Sequence, residues 1–171
     1  MRTLLLAGLL LTATAHAQDA AAAPGPAATP VNPDTVLLRG LLWAHEPAPE
    51  EIRGMAIEDL ALLGDVRALD PLGALVWDPN PRIQAAAVRA IALFQHPRAE
   101  QLLADVVRHP SLPEPLKLQA LGGLLFQRTA TALATVRETA KSPRASSTLQ
   151  SAALAVAAKW DATPPAPESP K

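Results

Sequence analysis

Leu63-Gly64-Asp65-Val66-Arg67-Ala68-Leu69-Asp70-Pro71-Leu72-Gly73-Ala74-Leu75-Val76-Trp77-Asp78-Pro79-Asn80-Pro81-Arg82-Ile83-Gln84-Ala85-Ala86-Ala87-Val88-Arg89-Ala90-Ile91 reads as the end of one helix, a tight turn, a short second helix, another turn and the start of a third. Gly64 suits the left-handed position that closes a helix, and Asp65 can cap the next one. Asp78-Pro79-Asn80-Pro81 then breaks the chain, since proline has no N–H to give a helix interior. Beyond the break, Ile83, Ala86, Ala87, Ala90, Ile91 and Phe94 recur at i, i+3, i+4, i+7, i+8 and i+11, one face of an amphipathic helix.

The same grammar extends in both directions. Upstream, Asp34 or Thr35 can cap a helix from Val36 to about Ala44, which Pro47 and Pro49 stop. A second helix runs from Glu50 to Leu63, with Ile52, Met55, Ala56, Leu60 and Leu63 predicted on one face. The third lies between Val66 and Trp77; Pro71 places either its regular start near Asp70 or a kink in its first turn. Downstream, His96-Pro97 ends the helix of Ile83, and Ala99, Leu102, Leu103 and Val106 mark the next. After the break from His109 to Pro115 come Leu116, Ala120, Leu121, Leu124 and Leu125, with Gly122-Gly123 weakening that helix by about 1 kcal/mol per glycine relative to alanine. Thr129 caps a helix bearing Leu133, Val136 and Ala140, and a last one places Leu149, Ala152, Ala153, Val156 and Trp160 together. The expectation is about seven helices.

Ile52 aligns with Ile83 after 31 residues and Ile83 with Leu116 after 33; Ala56, Ala87 and Ala120 coincide in that register, as do Leu60, Ile91 and Leu124. A fixed period with a helix pair in each unit is the mark of an α-solenoid. The alanines let neighbouring helix axes approach, and the larger residues fill the layers between. The predicted fold is all-α: a short α-solenoid of about three helical hairpins with flanking half-repeat helices. At this point the chain resembles HEAT repeats, specifically the short HEAT-like type of phycobilisome lyases. Leu63 to Leu72 follows the family's inter-helix turn, and Asp78 to Ala86 its inter-repeat turn and helix start. Glu51-Ile52-Arg53 and Leu116-Lys117 supply the family's Val-Arg position; Gln84 departs from it, and Gln127-Arg128-Thr129 lacks the Gly-Asp of the turn. The resemblance covers roughly residues 49–158.

Composition agrees with that class. Leu and Ala dominate a chain of 171 residues that is 49% hydrophobic and only 3% aromatic, without tyrosine, which favours helices over strands. The net charge of −1 provides no field to hold nucleic acid. Cysteine is absent, which excludes disulfides, thiolate metal sites and a cysteine nucleophile.

The ends read differently. Arg2, the apolar run Leu4 to Leu11 and Ala15-His16-Ala17 have the three parts of a secretory signal peptide over residues 1–17, with the mature chain starting at Gln18. The apolar run is short against the roughly 20 residues of a membrane span. Residues 18–33 are an Ala- and Pro-rich linker, residues 34–160 the repeat domain, and residues 161–171 a Pro-rich tail; neither Pro-rich segment has an amphipathic period. The expected location is periplasmic or secreted, with no stable membrane span after cleavage.

Chemistry-bearing residues are sparse. His45, His96 and His109 fall at helix ends, where imidazolium would complement the C-terminal dipole, and none has metal-ligand spacing. Glu50-Glu51 and Glu58-Asp59 are neighbours on a solvated face, whereas acid–base work needs carboxylates opposed across a pocket. Ser146-Ser147-Thr148 suits a helix cap, and neither a nucleophile elbow nor a phosphate loop is present. No catalytic residue, metal or cofactor is expected. Trp77 is placed in inter-repeat packing or as an interface anchor, and Trp43 and Trp160 over the open ends of the stack.

In HEAT-like proteins the second helix of each pair lines the inner surface. The resemblance thus implies a polar ridge of Arg67, Asp70, Arg98, Glu100, Asp105, Arg137 and Glu138 facing a protein partner, with intra-solenoid salt bridging as the competing use of the same side chains. The functional expectation is an exported, non-enzymatic protein–protein interaction module. The alternative is a lyase-like or ligand-carrying accessory protein that binds a small molecule or chromophore, which would need a deep apolar pocket with inward polar groups. A structural spacer held by its Pro-rich tails would show neither.

Overall fold

The computed structural model describes residues 32–162. The signal peptide expected at residues 1–17 and all but the first two residues of the expected tail lie outside them, as does the linker up to residue 31. The described residues form eight α-helices and one 3-10 turn, one helix for each segment marked out in the sequence, against the rounded expectation of about seven. They are α1 Pro33–His45, α2 Glu50–Leu63, α3 Leu69–Leu75, α4 Pro81–Ala92, α5 Pro97–Arg108, α6 Glu114–Gln127, α7 Ala130–Lys141 and α8 Ser147–Ala162. The 3-10 turn Val66–Ala68 leads into α3, so Pro71 sits in the first turn of a short regular helix, where its missing N–H costs little.

Three helices start on the same device. Asn32, Asn80 and His96 each precede a proline and each accept, through the side chain, the N–H of the residue two positions on. Proline at the first helical position needs no partner and presets φ, while the cap satisfies one of the remaining free donors. The cap of α1 is therefore Asn32 rather than Asp34 or Thr35. His96, expected to complement a helix C-terminus, instead opens α5: its Nδ1 accepts the Arg98 N–H at 3.1 Å. Thr129 caps α7 as expected, its Oγ1 accepting the Ala132 N–H at 3.0 Å.

The helices lie in two rows. α2, α4, α6 and α8 pack one on the next, and α3, α5 and α7 form a second, looser row. The core runs between them, with Ile57, Leu72, Ile91, Leu103, Leu121 and Val136 fully buried; each such side chain contributes about 1.5–3 kcal/mol on leaving water. All six residues of the α4 period are buried. The face of α2 differs from expectation. Ala56, Ile57 and Leu60 are buried, whereas Ile52 and Met55 are 40% and 62% exposed and Leu63 is also exposed. The helix is turned so that Arg53 faces inward, on the line of positions 53, 56, 57 and 60.

Gly64 closes α2 at φ 67°, the left-handed conformation that a β-carbon disfavours. The adjacent glycines of α6 have opposite roles. A β-carbon on Gly123 would come within 2.9 Å of the Ala92 Cβ and 3.1 Å of the Leu103 Cδ1, so its absence is what lets α6 lie against α4 and α5. A β-carbon on Gly122 would meet nothing within 4 Å. Thermal denaturation followed by circular dichroism will therefore separate the two. Gly122→Ala stabilises the protein by about 1 kcal/mol through helix propensity. Gly123→Ala destabilises it by roughly 1–3 kcal/mol through overpacking.

Candidate interaction surface

The second-helix row carries the residues of the expected polar ridge, and pairs join most of them. Arg67 donates to Asp65 and also to Asp34 of α1. Asp70 on α3 accepts from Arg98 on α5 at 2.7 Å. Glu100 accepts the Thr129 hydroxyl at the start of α7 at 2.6 Å. Glu138 on α7 accepts from Arg108 on α5 at 2.9 Å, and Arg137 donates to Asp161 of α8 at 3.1 Å. Every one of these except Arg67–Asp65 joins one unit to the next. Asp105 takes part in none of them. Arg67 holds the Asp65 carboxyl below its ordinary range by side-chain and backbone hydrogen bonds. Exposed pairs of this kind contribute little to stability, so the side chains remain available to exchange partners.

Asp105 instead lines an open cleft of about 420 Å³ between α3 and α5, beside Trp77, Arg108 and His109. Trp77 is 54% exposed and stands edge-on to His109, with ring centroids 4.6 Å apart and planes at 77°. It thus packs across one inter-unit step while leaving half of its surface in water. The His109 Nδ1 lies 3.1 Å from the Ser111 hydroxyl, which fixes the ring's orientation. Trp160 packs against the end of the core, with the Arg128 guanidinium 5.7 Å from its ring centroid, while Trp43 is 46% exposed. Sequence reasoning places Trp77 but not Arg108 or His109 beside it. Their 31- and 32-residue separations from Trp77, close to one repeat, are the available signal.

A second set of contacts fixes the rows. Arg53 donates its Nε to the Ala44 carbonyl at 2.9 Å and pairs through Nη2 with Asp78. One guanidinium thereby ties the end of α1, the body of α2 and the turn into α4. Glu50 accepts from Asn80 and Arg82 at the start of α4, and these bonds lower its carboxyl below the ordinary range. Among the described residues, every buried polar side-chain atom has a partner within the protein.

A family model of HEAT repeats matches residues 38–124, just over half of the chain. The chain belongs to the HEAT-repeat family. The match is to HEAT repeats as a class rather than to the phycobilisome-lyase type, and it ends before the Gln127-Arg128-Thr129 turn that departs from the pattern. HEAT repeats serve in general as protein-interaction scaffolds. No curated protein matches the sequence. Among the described residues, no helix is long and apolar enough to cross a membrane.

Asp78 gives the surface a pH signature. Burial raises its carboxyl, but the Arg53 side chain, the Asn80 N–H and the nearby positive charge outweigh that and leave it below the ordinary 3.8. A group depressed in the folded state stabilises fully above its unfolded value and loses that contribution as pH falls through the folded one. Asp78→Asn is expected to cost about 2 kcal/mol at neutral pH, the value of a hydrogen bond to a charged group. Urea unfolding of both proteins along a pH series checks the sign: the difference shrinks as pH drops below about 4.

Proposed function

We propose that this protein is an exported, non-enzymatic interaction module that presents its second-helix row to another protein. The observation that carries the reading is Trp77, half-exposed at the mouth of an open cleft, with Asp105, Arg108 and His109 of the next unit around it. A rigid aromatic in a partly desolvated recess, ringed by charge, is the usual composition of an interface anchor. Around it Arg67, Asp70, Arg98, Arg137 and Glu138 supply solvent-accessible, weakly committed charges that can re-pair with a partner, while Glu100 on the same ridge is half-buried and held by the Thr129 hydroxyl. Export rests on the signal-peptide pattern of residues 1–17. The absence of a role in catalysis rests on the sequence, which has no nucleophile elbow, no carboxylate pair spaced to oppose across a pocket and no phosphate loop. A cleft this open favours a peptide or protein segment over an engulfed small molecule.

In-cell crosslinking and affinity capture from the cell envelope and the medium test the reading. The wild type should retain one dominant protein. Trp77→Ala should lose at least about tenfold of it, as expected for a central aromatic anchor. Joint reversal of Arg67, Arg98 and Arg137 to Glu should lose it as well. Capture unchanged in both variants would remove the second-helix row from the proposal, and a folded wild type that captures nothing would overturn it.

A further inference from the structure

The first-helix row carries a feature for which the second row has no use. Leu62, Leu93 and Phe126 stand 31 and 33 residues apart, the same steps that align Ile52, Ile83 and Leu116. They are 82%, 66% and 66% exposed. One equivalent position in three consecutive units thus holds a large apolar side chain in water, along an open groove of about 650 Å³ over α2, α4 and α6. One turn earlier in the same register come Glu58, Arg89 and Gly122, which line the same groove. Glu58 and Arg89 are exposed and enter none of the ion pairs or side-chain hydrogen bonds of the described residues. They occupy matching heights on adjacent helices, whose axes pack about 8–10 Å apart, and within one chain they do not meet.

That arrangement is self-complementary. We infer that the groove over α2 and α4 is the contact surface of a homodimer, occupied by a second copy of this chain. A two-fold axis running along the helices between α2 and α4 sets α2 of one copy over α4 of the other. Glu58 of each copy then faces Arg89 of the other, and Leu62 faces Leu93, each contact occurring twice as an isologous interface requires. Gly122 leaves the flank of the groove open, and Phe126 lies at the rim. The net charge of −1 offers little repulsion against self-association. The second-helix row stays free on the far side, so each dimer would present two copies of the Trp77 cleft.

Sedimentation equilibrium of the purified full chain, from micromolar to submillimolar concentration, tests this with a charge exchange. The wild type is expected to dimerise and to dissociate as salt is raised. Glu58→Arg and Arg89→Glu should each weaken the dimer by roughly tenfold or more, because each sets like charges face to face twice. The double variant, which restores opposite charges, should recover it. Leu93→Ser should weaken it without altering the charge. Circular dichroism confirms that these exposed positions leave the fold intact. A monomeric wild type overturns the inference and returns the stripe to a segment of another protein; a dimer indifferent to the single reversals, or not restored by the double one, overturns it as well. Partner capture by Glu58→Arg reads the second-row surface separately.

Discussion

The carbonyls at the C-terminal end of a helix have no partner within it, and in a stack of short helices many of these ends are buried. This structure answers that constraint with donors sent from the neighbouring unit. Gln127, at the end of α6, is buried and donates to the Phe94 carbonyl at 3.0 Å and the Ala92 carbonyl at 3.4 Å, just where α4 ends. Gln95 returns the favour at 2.9 Å, donating to the Phe126 carbonyl at the end of α6. Arg53 does the same for Ala44 at the end of α1. Lys117, at the position that Arg53 holds two units earlier, reaches the Pro110 carbonyl in the preceding turn at 3.4 Å. Apolar burial supplies most of the free energy but is indifferent to register; these bonds are directional and set which turn of one helix faces which turn of the next.

The close approach that such short reaches demand comes from small residues. Ala87 and Ala120 are fully buried at equivalent positions, and Gly123 lets Ala92 and Leu103 come up to α6. The helix period, the alanine register and the proline breaks are legible in the sequence because each is a local property with a fixed spacing. The left-handed turn at Gly64 is legible for the same reason. Arg128 shows the limit: it adopts φ 55° without being glycine, in the turn where the family pattern fails, and nothing local marks it.

Other features are hidden from the sequence because they depend on contacts between units. Arg53 faces the interior only because the Ala44 carbonyl and Asp78 wait there, and a hydrophobicity pattern reads it as solvent-facing. Ile57 escapes the pattern for the same reason, since the helix turns with Arg53. His96 precedes proline, which reads equally well as the end of one helix and the start of the next; the structure uses it as the start. In the candidate surface, the charged ridge is legible as residue types at repeat spacing. Its pairing is not. Asp70–Arg98 and Arg108–Glu138 span 28 and 30 residues, and that near-match to the period becomes a contact only once the units stack. Trp77 shows both sides of this: its place before the inter-repeat turn is readable, and its edge-on contact with His109 is not.

Donors crossing between units, and not only the apolar core, thus hold the stack in register. Amide hydrogen exchange on Gln127→Met, which keeps the bulk of the side chain and removes the donor, tests this most directly. Protection should fall at the C-terminal ends of both α4 and α6, although the substitution lies in α6 alone. A change confined to α6, or no change at either end, would contradict it.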